Sequence, residues 1–248
     1  MSKITKIALI LIGAGILLCG LAYLLVGGVW TEFNSKGTDY VAKSYESDGQ
    51  VKEIRIDDSA NEIVLQTADT DKVTIEYFDD PERPLYEITE KDGKLEYKKS
   101  GRGKFKLINI DFSARERKTV VTVPADYDGI LDIDLSSGSV VADGIMAGQL
   151  EIGNTSGSIE LKDVRISGDV DLGNTSGSIE FTNLKSGGDI SIGNTAGSIE
   201  GSIEGSESDY TITSTTTAGS SNLQNTTGGS KKLTAATTAG SIEITFTK

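Results

Sequence analysis

The chain has 248 residues, of which 24 are lysine or arginine and 37 are aspartate or glutamate, so its formal net charge is −13. Histidine is absent, and the single cysteine, Cys19, lies in an apolar run near the N-terminus. The remaining chain therefore has no disulfide, no thiolate metal site and no histidine-based catalysis, and its acidity makes it a poor partner for nucleic acid.

An uncharged run of 23 residues, Ile7 to Val29, lies close to the N-terminus. At about 1.5 Å per residue such a run crosses a hydrocarbon core of roughly 30 Å as one helix. Two lysines precede it and a glutamate follows it. By the positive-inside rule, we expect residues 1–30 to form a cytoplasmic tip and a single-pass anchor in the cell membrane, with the C-terminal domain extracellular. A cleaved signal peptide is the alternative, because Val26-Gly27-Gly28 offers small residues at a cleavage position.

Residues 31–50 are polar and lack a hydrophobic period, so we predict a linker there. Residues 51–123 contain short runs in which every second side chain is apolar, as in Glu53-Ile54-Arg55-Ile56, which is typical of strands with one buried face. Turn-forming residues separate these runs, and we predict an N-terminal β region of antiparallel type. The predicted strands are Val51–Ile56, Glu62–Gln66, Lys72–Phe78, Leu85–Thr89, Lys94–Lys99 and Thr119–Val123.

A basic segment lies at the end of this region, since Arg83 to Lys118 contains eleven basic and six acidic residues. Solvated hairpin tips are one interpretation. The other is contact with an anionic surface, either lipid headgroups or a wall polymer, which requires the basic side chains on one face. The candidate contact residues are Arg102, Lys104, Lys106, Arg115, Arg117 and Lys118.

Residues 124–248 contain a repeat. The stretch Gly153 to Glu160 recurs at Gly173 to Glu180 and, with one substitution, at Gly193 to Glu200. A small residue followed by Gly-Ser occurs six times, at spacings of 19, 20, 20, 22 and 21 residues, and such a period indicates a solenoid. Each copy offers two short alternating runs joined by a bend, so we predict a parallel β-solenoid (β-helix) of about six coils of 19–22 residues.

Stacking the coils in register places equivalent polar residues above one another, about 4.8 Å apart. We predict an amide ladder, with glycines at the bend that permit a backbone conformation other residues resist. The predicted ladder residues are Asn154, Asn174, Asn194, Gly157, Gly177 and Gly197. Asn154 and Asn174 also match the N-glycosylation pattern, but Asn194 keeps the amide and loses the pattern, which favours the ladder.

Three glutamates, Glu160, Glu180 and Glu200, recur at the same position of successive copies. They alternate with apolar residues, so we expect them on a solvated face. A cation bound between them is the alternative. No cofactor, resident metal or catalytic residue is predicted. The last coil ends at Ile242 to Lys248 without a polar cap, so we expect an open strand edge there.

From about Val51 to its end, the chain resembles the bacterial putative-adhesin domain family of unknown function that is built from β-strand repeats. The resemblance rests on Val121-Thr122-Val123-Pro124, on the run from Leu131 to Ser139 that follows, and on the serial Ser-Gly-Ser-Ile copies. The N-terminal anchor is similar to the layout of that family in Gram-positive bacteria. The resemblance implies association with the cell envelope, and it supplies no agreed catalytic residues.

Three functions remain open at this point. The first is a non-enzymatic, adhesin-like solenoid that is held in the membrane and contacts anionic wall polymers, envelope proteins or itself. The second is a self-assembling scaffold resembling bactofilins, which the open last coil favours. The third, a polysaccharide-active β-helix enzyme, is disfavoured because the aromatic residues of the repeat region are few: Tyr127, Phe181, Tyr210 and Phe246.

Overall fold

The structure is a computed structural model that describes residues 40–100 and 118–248. The apolar run Ile7 to Val29, expected to span the membrane, lies outside the described residues. Among the residues that are described, no helix has the length and apolar character needed to cross a bilayer.

The described residues form twenty strands and one 3-10 turn, Glu207–Asp209. In chain order the strands are β1 (Val41–Glu46), β2 (Glu53–Asp58), β3 (Glu62–Ala68), β4 (Thr74–Asp79), β5 (Tyr86–Lys91), β6 (Lys94–Lys99), β7 (Lys118–Pro124), β8 (Ile130–Leu135), β9 (Val140–Asp143), β10 (Met146–Ala147), β11 (Gln149–Ser156), β12 (Ile159–Lys162), β13 (Arg165–Ile166), β14 (Val170–Ser176), β15 (Ile179–Ser186), β16 (Ile190–Ala196), β17 (Ile199–Glu204), β18 (Tyr210–Ala218), β19 (Lys231–Ala239) and β20 (Ile242–Thr247).

All twenty described strands belong to two large sheets that share one core. One sheet has nine strands in the order β18-β19-β16-β14-β11-β8-β2-β6-β5. The other has eleven strands and contains β9, β12, β15, β17 and β20 in successive coils. Leu150 of β11 lies opposite Val170 of β14, which lies opposite Ile190 of β16, and all three are buried. The repeats therefore stack as parallel coils whose apolar rows run along the stack.

The N-terminal β region differs from the antiparallel arrangement expected for residues 51–123. Strand β2 pairs in parallel with both β8 and β6, and β3 pairs in parallel with both β9 and β7. Only the pairs β1–β4, β4–β7 and β5–β6 are antiparallel within the described residues. Ile54 and Ile56 lie opposite Leu131 and Ile133, so β2 continues the apolar rows of the repeats, and the parallel pairing extends beyond β2 to β6.

The prediction of a linker over residues 31–50 was wrong for its second half. Val41–Glu46 forms β1, which pairs antiparallel with β4 at the edge of the eleven-stranded sheet. Four of its six residues are exposed, including Val41, and only Lys43 and Tyr45 are half-buried. A strand with so little burial carries no apolar period, which is why its sequence gave no signal.

The order of the last coils also differs from the chain order. Strand β19 lies between β16 and β18, although β18 precedes it in the sequence. The expectation of an open edge at the final coil was therefore wrong for β19, which has a strand on both sides. Strand β20 of the same coil is the last strand of its sheet, as expected, because β17 is the only described strand that pairs with it, although Ser221 forms a bridge with Ile242 at its edge. In the register of the pair, Leu233 and Ala235 of β19 lie opposite Ile212 and Ser214 of β18, and Ser214 is only half-buried. The strand with alanine at this position takes the place with neighbours on both sides, and the strand with serine takes the end.

Candidate functional site

The asparagine slot of the repeat connects each coil to the one before it. The three side chains are between 5% and 6% exposed, and each Nδ2 donates to the carbonyl oxygen of a bend glycine. The bonds run from Asn154 to Gly138 (3.0 Å), from Asn174 to Gly157 (2.8 Å) and from Asn194 to Gly177 (2.7 Å). The contact is thus from amide to glycine main chain, and not from amide to amide as in the predicted ladder.

Two threonines continue this row, which sequence reasoning missed. Thr237 Oγ1 donates to the carbonyl of Gly197 at 3.2 Å, and Thr216 Oγ1 donates to that of Gly240 at 3.3 Å. The sequence signal was the position of each threonine, two residues before the Ala-Gly-Ser of its coil, where three other coils have asparagine. A hydroxyl supplies the same donor to the same carbonyl.

The bend glycines are required by the fold. Gly157, Gly177 and Gly197 have φ values of 123°, 121° and 137°, in the region that side chains rarely adopt. A Cβ atom at Gly177 would also overlap the carbonyl oxygen of Gly157 in the preceding coil. These glycines therefore serve the close approach of successive coils.

A second row of glycines lies on the outward face of the nine-stranded sheet, where it forms the floor of an open groove of about 600 Å³. The floor consists of Gly153, Gly173, Gly193 and Ala236 in successive strands. One wall of the groove is a row of exposed threonines: Thr155, Thr175, Thr195, Thr238 and Thr217. We call this feature the glycine groove.

Two of the floor glycines are not required by the fold. Neither Gly173 nor Gly193 has a positive φ. A Cβ at Gly193 would meet no atom within 4 Å, and one at Gly173 would meet only the carbonyl oxygen of Ile152, at 3.9 Å. Glycine inside a strand costs about 0.5 to 1 kcal/mol relative to alanine, and it is typical of places where a ligand or another chain approaches closely. The groove floor thus stays bare at a cost in stability.

The outward face is acidic toward the β8 side of the groove. Arg55 binds Asp132 and Asp134 at 2.8 and 3.1 Å. Burial, and then the neighbouring carboxylates of Asp132 and Asp171, raise the pKa of Glu151. Burial likewise raises the pKa of Asp132, although Arg55 opposes it. Negative charge is already crowded here, so the face disfavours an anionic partner.

The basic segment lies mostly outside the described residues. Arg102, Lys104, Lys106, Arg115 and Arg117 fall in that gap, and their role in binding an anionic surface stays a prediction. The sixth candidate, Lys118, is the first residue of β7, and its Nζ lies 2.8 Å from a carboxylate oxygen of Glu62.

The recurring glutamates lie in register on the outward face of the eleven-stranded sheet, where Glu160 is opposite Glu180 and Glu180 is opposite Glu200. All three are exposed, and Ser158 and Ser178 donate hydrogen bonds to the first two at 3.1 and 2.9 Å. Across residues 40–100 and 118–248, no group of three or more carboxylate, thiol or imidazole side chains could hold a metal ion.

These features define an all-β domain of parallel stacked coils with an exposed polar groove. Residues 51–248 match the family model described as Toastrack DUF4097, and the chain belongs to this family. No curated protein matches the chain.

Solved structures extend the comparison of the fold. A putative cell adhesion protein from Clostridium sporogenes is 12% identical, with 84% of this chain and 100% of that chain covered and a TM-score of 0.52. A putative adhesin from Bacteroides fragilis is 13% identical, with 83% and 97% covered and a TM-score of 0.27. At 12% identity, the similarity to the first structure shows a common fold and nothing about function. The TM-score of the second structure is too low to support a conclusion.

Proposed function

We propose that the protein is a membrane-anchored, extracellular and non-enzymatic Toastrack module that makes contacts at the cell envelope through its glycine groove. The observation that carries the proposal is the bare floor at Gly173 and Gly193, where the fold leaves room for side chains and the sequence has none. The name of the Clostridium sporogenes neighbour, a putative cell adhesion protein, agrees with a contact function.

The groove suits an uncharged, hydroxyl-rich polymer such as a wall glycan. Its threonine wall offers hydroxyl groups that both donate and accept hydrogen bonds. The crowded carboxylates at its acidic side repel phosphate-bearing polymers. A flat chain would approach the main chain of Gly173 and Gly193 closely, which a side chain at either position would prevent.

The test uses the full-length chain in detergent micelles and insoluble wall glycan that has been stripped of anionic polymers. We expect the wild-type chain to pellet with the glycan and Gly193→Val to weaken binding by about tenfold, or 1.4 kcal/mol. The variant should keep its fold, because valine favours strands and its Cβ meets no neighbour.

The matched control is Glu180→Val, which places the same side chain on the outward face of the other sheet. It should bind the glycan as the wild-type chain does. Equal binding by Gly193→Val and wild type, or equal loss in both variants, would contradict a groove-specific contact.

The basic segment contributes a second contact in this proposal, with an anionic surface. Its charge is opposite to that of residues 124–248, which contain six basic and seventeen acidic residues. Binding of a soluble anionic wall polymer should weaken as salt is raised and when Arg102, Lys104 and Lys106 are replaced by glutamine. Salt-independent binding, or binding that survives this replacement, would remove the segment from the proposal.

A further inference from the structure

The end of the stack beyond β18 is covered by residues 219–230, which connect β18 to β19 and which we call the end strap. No described strand pairs with the outer edge of β18, which is the last strand of its sheet. The end strap lies along this edge and also reaches β20 in the other sheet, where Ser221 forms a bridge with Ile242.

The end strap pairs with β18 largely through side chains. Thr226 Oγ1 accepts from the N–H of Ile212 at 3.1 Å and donates to the carbonyl of Tyr210 at 3.2 Å. The N–H of Thr226 donates to the carbonyl of Ile212 at 3.0 Å. Asn225 Oδ1 accepts from the N–H of Ser214 at 2.6 Å. These bonds occupy the donors and acceptors that an added strand would use.

The side chain of Asn222 likewise hydrogen-bonds main-chain groups at the edge of β20. Its Nδ2 donates to the carbonyl of Ile244 at 2.9 Å, and its Oδ1 accepts from the N–H of Ile244 at 3.0 Å. Its own N–H donates to the carbonyl of Ile242 at 3.1 Å. One side-chain amide thus imitates the peptide group of a neighbouring strand, and both sheets are closed at this end.

Strand β18 lacks the usual protections of an edge strand. Its nine residues, YTITSTTTA, include no charged residue and no proline, and they are rich in β-branched side chains. The two edge strands at the other end of the sheets are charged instead: β1 contains Lys43 and Glu46, and β5 contains Glu87, Glu90 and Lys91. The contrast indicates that the end strap replaces charge as the protection of β18.

We propose that the end of the stack is a self-association surface for a second copy of this chain, and that the end strap blocks it. When the strap is displaced, the β18 edges of two copies pair antiparallel about a two-fold axis, since a closed dimer requires the same edge on both. The surface is the sheet edge and not the glycine groove, so this inference does not depend on the proposed function.

The test compares strap variants of the full-length chain in detergent micelles by light scattering over a concentration series. Asn225→Ala combined with Thr226→Val removes the side-chain bonds to Tyr210, Ile212 and Ser214. We expect its protein mass to at least double with rising concentration while the wild-type mass stays constant. Thr227→Val is the matched control, because Thr227 is exposed and its hydroxyl makes no hydrogen bond within the described residues; it should behave as wild type.

A third substitution, Ser214→Pro, tests whether the copies associate through the outer edge of β18. Proline at position 214 removes the N–H that faces the outer edge of β18, which proline tolerates at an edge but which an added strand needs. Ser214→Pro in the double variant should therefore restore a constant mass. Should the double variant fail to melt cooperatively, Asn225→Ala alone, which loses one bond, is expected to associate more weakly but measurably.

The proposal is overturned if a folded strap variant keeps the wild-type mass at all concentrations. It is equally overturned if the wild-type chain associates as strongly as the variant, or if Ser214→Pro leaves the association intact.

Discussion

The two ends of the stack are closed in different ways. At the β1 and β5 end, a carboxylate joins the edges: Glu90 of β5 accepts from the hydroxyl of Tyr45 and from the N–H groups of Asp48 and Gly49, at 2.9 to 3.0 Å. At the β18 end, neutral amide and hydroxyl side chains of the end strap satisfy the edges. One end therefore depends on charge, and the other depends on hydrogen bonds between uncharged groups.

The ends also differ in packing. Tyr97 is fully buried near the β5 end, with its ring stacked on Tyr86 at 4.9 Å and edge-on to Tyr77 at 5.6 Å. At the other end, Tyr210 is buried beside Phe246 at 5.8 Å, and Lys231 lies 4.4 Å over its ring. Three tyrosine rings thus pack together near the first end, whereas at the second end one buried tyrosine packs against a phenylalanine and a lysine.

The largest expected effect tests that aromatic packing. Tyr97→Ala removes a fully buried ring and should lower the free energy of unfolding by about 3 to 5 kcal/mol, because the surrounding coils can only partly fill the cavity. Denaturant unfolding measures the change. Tyr97→Phe is the control: it keeps the ring and loses a 3.3 Å contact with Thr119 Oγ1, so it should cost about 1 kcal/mol. Equal losses in both variants would mean that the hydroxyl, and not the packing, closes this end.

A smaller effect is expected between the ends, where the asparagine slot couples neighbouring coils. Asn174→Ala leaves the buried carbonyl of Gly157 without its side-chain donor and should cost about 1 to 3 kcal/mol. Asn174→Thr should recover part of this, since Thr237 occupies the same slot two coils later with its hydroxyl on a glycine carbonyl. Thermal melting of the two variants measures the difference in stability. If Asn174→Thr is no more stable than Asn174→Ala, a threonine does not replace the asparagine bond at this position.

Acid should weaken the hydrogen bonds that close the β1 and β5 end and leave those at the β18 end unchanged. Burial opposes ionisation of Glu90, but the bonds from Asp48, Tyr45 and Gly49 outweigh it and hold its pKa below the usual value. A depressed pKa contributes stability above the unfolded value of 4.5, and this stability is lost as the pH falls through the folded pKa. Hydrogen-exchange protection of the Asp48 and Gly49 amides should fall in that window.

The Thr226 amide in the end strap serves as the internal reference, because its acceptor is a main-chain carbonyl. Glu90→Gln should remove the acid-dependent step at β5 and leave the strap unaffected. Parallel loss of protection at both ends would show that the two closures are not independent.

The smallest effect is expected on the groove floor, away from both ends. Gly193→Ala should raise the free energy of unfolding by about 0.5 to 1 kcal/mol, because alanine restricts the unfolded chain and its Cβ meets no atom within 4 Å. Thermal melts measure the gain. A loss of stability would mean that the glycine is structural after all, and the argument from the bare floor would fail.

Sequence reasoning predicted much of the fold, and its errors have identifiable causes. The alternation in residues 51–123 located six strands within a few residues of their bounds, and the predicted register of the repeats is that of the structure. Strand β1 was missed because most of its residues are exposed. The glycine groove was missed because its floor glycines look the same in the sequence as the bend glycines. The backbone φ and the space that a Cβ would occupy distinguish Gly193 from Gly197.

The sequence by itself determined the period, the inward and outward faces and the bend of each coil, because these follow from local alternation and from glycine at positive φ. It did not determine the order of the last coils. Strands β18 and β19 both end in Thr-Ala followed by Gly-Ser, so either could follow β16. The tertiary structure decided between them, because the inner place has neighbours on both sides and gains more from burying Ala235 than from burying Ser214, which lies opposite it in β18.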